Sequence, residues 1–153
     1  MPYWLFKTEP SSYSWNDLLI DEVAEWDGVR NYMARNFLRD EIQVGDEVLF
    51  YHSNSNPSCI VGIAEVVCSG YPDHTAFDKN SNHFDVKSTK KDPIWFMVNI
   101  KPVVKLVHEV SLKDIKNSNE LKNMGLLRYA RLSISPVSKD EYFFIRKIGG
   151  IDN

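Results

Sequence analysis

The pattern of hydrophobic and polar positions predicts short strands interspersed with short helices. Runs that alternate, or that are apolar throughout, predict strands at residues 3–7, 47–53, 60–67, 94–100 and 132–134. Capping signals followed by apolar residues predict helices that begin after Ser14, Asn31, Ser111 and Ser138, with a further helical piece at 121–127. This mixture of elements indicates an α+β fold.

The predicted strand at residues 47–53 is apolar on both faces. Because side chains alternate along a strand, Val48 and Phe50 point to one side and Leu49 and Tyr51 to the other. A strand that is covered on both sides belongs to the wall of a barrel or to a sheet packed under helices.

Residues 26–31 (WDGVRN), which we call the Trp26 loop, lie between two predicted helices. The loop combines an indole, a glycine, a guanidinium and an amide, which contribute little to a core and suit a flat polar ligand. Gly28 lets the backbone turn tightly or approach a partner closely. Asn31 can cap the helix that follows. Trp26 is then either a half-buried edge of the core or a platform on which a ligand stacks.

Polar groups also follow two predicted strands at their ends. Lys7, Thr8 and Glu9 close the first strand, and His52 and Ser53 close the strand at 47–53. Groups at strand ends are placed either to hydrogen-bond a ligand or simply to be solvated.

The net charge of −3 argues against a protein that coats nucleic acid nonspecifically. Residues 1–100 hold 8 Lys+Arg against 15 Asp+Glu, whereas residues 101–153 hold 10 against 6. The basic C-terminal part is either a footprint for an anion or phosphate backbone, or a solvated surface. Within it, Arg128 and Arg131 flank Tyr129, so the three side chains form either a stacking face with a phosphate clamp or ordinary partners of a helix end.

Length and composition indicate one domain that folds without metals or disulfides. A chain of 153 residues can bury most of its apolar surface. Its start shows no signal peptide and no apolar run of membrane-spanning length, so we expect a soluble intracellular protein. Cys59 and Cys68 lie in one predicted extended segment, roughly 30 Å apart, and cannot bridge there. The four histidines show no zinc spacing, and we expect no metal and no cofactor.

Several segments together resemble the EVE domain family. Each is weak alone, but their order along nearly the whole chain is specific. They are residues 3–10 (YWLFKTEP), 26–31 (WDGVRN), 34–37 (ARNF), 50–54 (FYHSN), 62–66 (GIAEV), 71–73 (YPD), 77–78 (FD), 95–96 (WF) and 131–133 (RLS).

The resemblance implies one EVE domain over residues 1–153 with a PUA-like fold, a mixed β-barrel surrounded by short helices and related to YTH modules. It further implies a non-catalytic reader that binds a modified base, chiefly a modified cytosine such as 5-methylcytosine in DNA, or a modified base in RNA. Some nuclear members have a long basic N-terminal extension that this sequence does not show. We therefore expect a cytoplasmic protein and leave a nuclear location open.

The resemblance also implies a set of site residues, in which Trp26 is the stacking wall of the base pocket. The other pocket residues are Lys7, Thr8, Glu9, Arg30, Asn31, Tyr51, His52, Ser53 and Asn54. Arg35, Arg128 and Arg131 would contact the phosphate backbone.

Two other function classes compete with this hypothesis. A small hydrolase of modified nucleosides could draw a base, a nucleophile and an acid from Lys7, Thr8, Glu9, His52 and Asp73, although no nucleophile elbow, phosphate loop or dinucleotide fingerprint is present. A protein-interaction module would show an exposed apolar patch and no affinity for nucleotides.

Overall fold

The computed structural model describes residues 2–151, which contain one six-stranded sheet. The strand order is β2-β5-β4-β3-β1-β6; β1 and β3 pair in parallel, and all other neighbours are antiparallel. The α+β class is confirmed. The strands are β1 (Tyr3–Thr8), β2 (Ala24–Glu25), β3 (Glu47–His52), β4 (Cys59–Pro72), β5 (Phe96–Ser111) and β6 (Ile134–Val137).

Among residues 2–151 the sheet is open, and this differs from the expected closed barrel. The edge strands β2 and β6 have two and four residues and each pairs on one side only. The long strands β4 and β5 nevertheless curl the sheet, because their pairing shifts register at several bulges, one of them opposite Pro102. Trp26, directly after β2, thereby reaches Phe6 on β1 although three strands separate β1 from β2.

The helices are short, and four of the five begin at the predicted caps. Ser14, Ser111 and Ser138 each form a capping box with an acidic residue three positions later, and Asn31 caps its helix through its side chain. The helical piece predicted at 121–127 is instead a 3-10 turn at Asn119–Leu121 followed by a helix at Gly125–Arg128, which begins after Met124 without a side-chain cap. No helix of residues 2–151 is long and apolar enough to cross a membrane. The helices are α1 (Trp15–Asp21), α2 (Tyr32–Asn36, continued by a π-helical turn at Phe37–Glu41), α3 (Leu112–Asn117), α4 (Gly125–Arg128) and α5 (Lys139–Ile148).

Two hydrophobic cores lie on the two faces of the sheet, and β3 contributes to both. Val48 and Phe50 belong to the core that also contains Trp26, whereas Leu49 and Tyr51 belong to the core under α5. The alternation that the sequence predicts for this strand is confirmed. As a consequence, Tyr51 lies on the face of the sheet opposite Trp26.

Helix α1 is shorter than its apolar pattern suggests. It ends at Asp21 because Glu22 adopts a positive φ of 66°, which breaks the helical path. Leu19 and Val23, which the pattern assigns to the inner face, are exposed, and Leu18 with Trp15 supplies the buried contacts. After this early end, residues 22 and 23 form a bend, and the chain then enters β2 and the Trp26 loop.

Candidate functional site

A cleft of about 780 Å³ opens where the end of β1 faces the Trp26 loop. We call it the Trp26 cleft. Its volume lies within the range of about 300–1,000 Å³ that is usual for small-molecule sites. It is lined by Lys7, Thr8, Ser12, Tyr13, Asp21, Val23, Ala24, Glu25, Trp26, Asp27, Gly28, Val29, Arg30, His83 and Ser133.

Trp26 forms the rear wall of this cleft and is also part of the core. Its ring centroid lies 5.3 Å from that of Phe6, 5.6 Å from Phe50 and 6.1 Å from Tyr13. Its backbone N–H donates to the carbonyl oxygen of Val98 at 2.8 Å. Only 8% of the residue is exposed, so Trp26 is a fixed wall with a small accessible surface and not a free-standing platform.

Gly28 allows the loop to pass directly under His83. Its φ is +79°, a conformation that favours glycine, and a Cβ atom there would lie 2.6 Å from the His83 ring. The backbone N–H of Gly28 donates to the Asp73 carboxylate at 2.8 Å. The glycine therefore fixes the loop against the segment that connects β4 with β5.

Arg30 holds that connecting segment in place, and we call this arrangement the Arg30 clamp. Its guanidinium donates to the carbonyl oxygens of His83 and Val29, to the Asp73 carboxylate and to the Thr75 hydroxyl. These contacts use all five N–H groups of the guanidinium. Arg30 lines the cleft as predicted, but in this arrangement it has no free donor for a base or a phosphate.

Asp73 is the centre of the Arg30 clamp and is fully buried. It accepts hydrogen bonds from the Gly28 N–H, from Arg30, and from both the N–H and the hydroxyl of Thr75. Burial by itself raises the pKa of Asp73, but the hydrogen bonds outweigh burial and lower that pKa below its ordinary value. In the sequence, Asp73 is part of the 71–73 segment of the family resemblance and a candidate member of a catalytic set; its anchoring role depends on Gly28 and Arg30, which lie more than 40 residues away.

Lys7 and Thr8 bring the end of β1 into the cleft. The Lys7 ammonium donates to the carbonyl oxygen of Ala130 at 2.7 Å, and burial lowers the pKa of Lys7. The Thr8 hydroxyl donates to the carbonyl oxygen of Tyr13 at 2.8 Å. Both residues line the cleft together with Trp26, and their role in binding a base stays a prediction.

Glu9, His52, Ser53 and Asn54 gather next to Thr8 but do not line the cleft. The Asn54 amide donates to Glu9 at 2.7 Å, and the Ser53 N–H donates to the carbonyl oxygen of Thr8 at 2.9 Å. The His52 Nε2 accepts from the Trp15 N–H at 3.1 Å. Burial lowers the pKa of His52, which favours the neutral ring that this bond requires. These residues support the end of β1 and do not face the cleft.

Three further predicted residues lie elsewhere. Tyr51 is buried in the core on the opposite face of the sheet, so its ring cannot reach the cleft. The Asn31 side chain accepts from the Ala34 N–H and caps α2. Arg35 donates to the carbonyl oxygen of Ile94.

Arg128 and Arg131 are exposed, and their sequence neighbours Ala130 and Ser133 contact or line the cleft. Ala130, between them, accepts the hydrogen bond of Lys7, and Ser133 lines the cleft. The Arg128 guanidinium lies 6.0 Å from the Tyr129 ring centroid. The segment 128–133 therefore borders the cleft and carries two exposed arginines. Residues 2–151 contain no group of three or more His, Cys, Asp or Glu side chains arranged to hold a metal ion.

The fold and the cleft define a small α+β module with a pocket that combines an indole with charged and hydroxyl groups. The chain belongs to the EVE domain family, whose model matches residues 2–148. The resemblance seen in the sequence is thereby confirmed.

Individual relatives agree with this assignment. Thymocyte nuclear protein 1 of Mus musculus is 40% identical over 162 residues, covering 94% of this chain and 71% of the relative. A hypothetical protein from Leishmania major has a structure with a TM-score of 0.94 at 45% identity, covering 98% of this chain and 95% of the other. The structure of human THYN1 protein in complex with 5-methylcytosine-containing DNA has a TM-score of 0.92 at 35% identity, covering both chains completely.

The expected relation to YTH modules holds at the level of the fold. The YTH domain of Zygosaccharomyces rouxii MRB1, solved in complex with N6-methyladenosine RNA, has a TM-score of 0.56 at 11% identity, covering 97% of this chain and 86% of that domain. At that identity the match shows a shared fold and says nothing about shared ligands.

Proposed function

We propose that this protein is a non-catalytic reader that binds one modified base of DNA, a modified cytosine, in the Trp26 cleft. The observation that carries the proposal is the cleft itself, in which a fixed indole faces charged and hydroxyl groups in a volume suited to a small flat ligand. The human relative that was solved with 5-methylcytosine DNA supports this choice of ligand, because the two chains share their fold over their full lengths.

The contacts in and around the cleft favour binding over hydrolysis. The Thr8 hydroxyl and the His52 ring nitrogen are both engaged with backbone groups. Asp73 is buried and saturated with hydrogen bonds from the Arg30 clamp. Groups held in this way are not poised as nucleophile, base and acid, which must reach a substrate.

The size of each contribution limits how selective the reader is. Stacking on an aromatic ring contributes about 1–3 kcal/mol, and burial of one methyl group contributes about 0.8 kcal/mol, or roughly fourfold in affinity. From duplex DNA the base must also be flipped, which costs a few kcal/mol. We therefore expect a modest affinity that depends on several polar contacts.

A titration with labelled single-stranded DNA tests the proposal. Oligonucleotides that carry 5-methylcytosine or cytosine at one position are compared by fluorescence anisotropy, with RNA versions as a second arm. We expect the methylated DNA to bind about fourfold more tightly, and the recovered oligonucleotide to keep its mass. Equal binding of the two DNAs would contradict the proposal, and a changed mass would reveal catalysis.

The variant Lys7→Met locates the binding in the cleft. A hydrogen bond from a charged donor contributes roughly 1.5 kcal/mol to binding, so its loss is expected to weaken binding about tenfold. The matched control is Lys147→Met on α5, which packs on the opposite face of the sheet. If both variants bind like the unchanged protein, the ligand does not use this cleft.

The arginines beside the cleft are proposed to contact the phosphate backbone. The double variant Arg128→Gln/Arg131→Gln is expected to weaken binding equally for methylated and unmethylated DNA. It should also reduce the slope of log affinity against log salt by about 1.4, since each phosphate contact on a single strand contributes about 0.7. Affinity is measured from about 50 to 200 mM salt. An unchanged slope would show that neither arginine meets a phosphate.

The proposed DNA ligand also predicts where in the cell the protein is found. The word nuclear in the name of the mouse relative describes that protein. For the present chain, a reader of modified DNA is expected wherever that DNA lies, which is the nucleus in a cell that has one. Imaging of a tagged protein tests this expectation against the cytoplasmic location expected from the sequence.

A further inference from the structure

The Trp26 cleft contains three carboxylates, and two of them are already engaged. Asp21 accepts the hydroxyl hydrogen of Tyr13 at 2.8 Å, and Glu25 contacts His74 Nε2 at 2.8 Å. Asp27 also lines the cleft and is exposed. Within residues 2–151, no side chain donates a hydrogen bond to it. Asp27 is therefore the carboxylate that remains available to a ligand.

Like the carboxylates, the hydrogen-bond donors of the cleft include some that are already engaged and some that remain available. The guanidinium of Arg30 is fully used by the clamp, whereas Lys7 uses one of its three N–H groups, on Ala130. The hydroxyls of Ser12 and Ser133 line the cleft and have no partner within the described part of the chain. The cleft thus offers a strong acceptor at Asp27 and donors at Lys7 and the two serines.

The surroundings of Asp27 disfavour its charged form, so a hydrogen-bond donor from a ligand would stabilise the carboxylate. Although the residue as a whole is exposed, its carboxyl group is partly shielded from water. This burial and the nearby Asp73 charge raise the pKa of Asp27, while His83, the Asp27 backbone N–H and His74 partly oppose the rise. A carboxylate in these surroundings is stabilised when a ligand N–H group meets it, because such a bond favours the charged form.

The identity of the base follows from this arrangement. Thymine and 5-methylcytosine carry the same methyl group and present a similar ring for stacking, so neither contact distinguishes them. On the base-pairing edge they differ at position 4, where cytosine presents an amino donor and thymine a carbonyl acceptor, and at the adjacent ring nitrogen, which accepts in cytosine and carries a hydrogen in thymine. A carboxylate pairs with the amino group and is repelled by the carbonyl oxygen.

We propose that Asp27 accepts the amino group of the bound base and is the residue that makes the Trp26 cleft select 5-methylcytosine over thymine. This inference rests on the proposed function, since it assigns the base-reading group within the same cleft. Lys7 and the serine hydroxyls are then placed to donate to the ring nitrogen and carbonyl oxygen of cytosine.

The test compares single-stranded oligonucleotides that differ only at one base, 5-methylcytosine, cytosine or thymine. Single strands remove differences in duplex opening. The unchanged protein should bind 5-methylcytosine at least about fivefold more tightly than thymine. In Asp27→Asn the ratio should fall to about one or invert, because the carboxamide can present its amino group to the thymine carbonyl.

Asp78→Asn is the matched control, because that carboxylate is exposed and lies outside the cleft. It should keep the preference of the unchanged protein, and circular dichroism should show that both variants are folded. If Asp27→Asn keeps the full preference, or if the unchanged protein does not prefer 5-methylcytosine to thymine, the inference is overturned. A failure of the proposed function gives a different result, namely equal binding of 5-methylcytosine and cytosine.

Discussion

Asp73→Ala is expected to lower the free energy of unfolding by about 3 kcal/mol. The carboxylate is fully buried and accepts four hydrogen bonds, so its removal leaves the Gly28 and Thr75 N–H groups and the Arg30 guanidinium without their acceptor. Removing one partner of a buried ion pair costs about 3–5 kcal/mol. We expect the lower end of that range because the Arg30 side chain is 24% exposed and can recruit water. Urea denaturation measures the change, and thermal unfolding should show a fall of roughly 6–12 °C.

Asp78→Ala is the matched control in the same connecting segment. Asp78 is exposed and accepts one hydrogen bond, from the Asn80 N–H at 2.9 Å. Its replacement should lower the free energy of unfolding by less than about 1 kcal/mol. Similar losses for both variants would show that the Arg30 clamp contributes little.

The stabilisation by Asp73 should also depend on pH. The pKa of Asp73 is lowered in the folded protein, so its contribution is fully present above the unfolded pKa of about 3.9. It is lost as the pH falls through the lower folded value. The stability difference between the unchanged protein and Asp73→Ala should therefore shrink between pH 5 and the acid limit of folding. A difference that is independent of pH would contradict the proposed role of the charge.

The role of Arg30 illustrates what the sequence could not show. Its position in a loop beside Trp26 suggests a ligand contact, and it does line the cleft. Its partners Asp73 and Thr75, however, lie in a stretch without hydrophobic periodicity, more than 40 residues away. Only the three-dimensional arrangement shows that every donor of the guanidinium is used within the protein.

Tyr51 shows the opposite situation, in which a simple rule was sufficient. Alternation along β3 places Leu49 and Tyr51 on the face opposite Val48 and Phe50, and the two cores confirm this. Since Phe50 contacts Trp26, the same rule excludes the Tyr51 ring from the cleft. Matching a run of residues to a family motif hides this distinction, because a motif on a strand includes side chains of both faces.

The curl of the sheet brings the separate parts of the cleft together. The Trp26 loop follows β2 at one edge, whereas Lys7 and Thr8 end β1 near the other edge. Bulges in β4 and β5 bend the sheet until these parts meet. Local patterns predict the strands and their ends, but the positions of bulges depend on pairing between distant residues. The sequence therefore identified residues that form the cleft but not the neighbours that hold them in place.

Trp26→Leu is expected to affect both stability and binding. In the core it removes the aromatic contacts with Phe6, Phe50 and Tyr13 and leaves a cavity, so we expect a loss of about 2–4 kcal/mol in the free energy of unfolding. In the cleft it removes stacking, which contributes about 1–3 kcal/mol per base. Because only 8% of Trp26 is exposed, we expect a loss at the lower end of this stacking range, which weakens the affinity for 5-methylcytosine DNA about five- to tenfold.

Phe6→Leu separates the two effects of Trp26. Phe6 is fully buried behind the indole and does not line the cleft. Its replacement should also destabilise the protein, by less than Trp26→Leu, but leave affinity within about twofold, measured at a temperature where both variants are folded. If both variants lose the same affinity, Trp26 acts on binding only through the stability of the core. If Trp26→Leu alone loses affinity, the indole contacts the base directly, and the loss should be the same for 5-methylcytosine and cytosine, because stacking does not read the methyl group or the base edge.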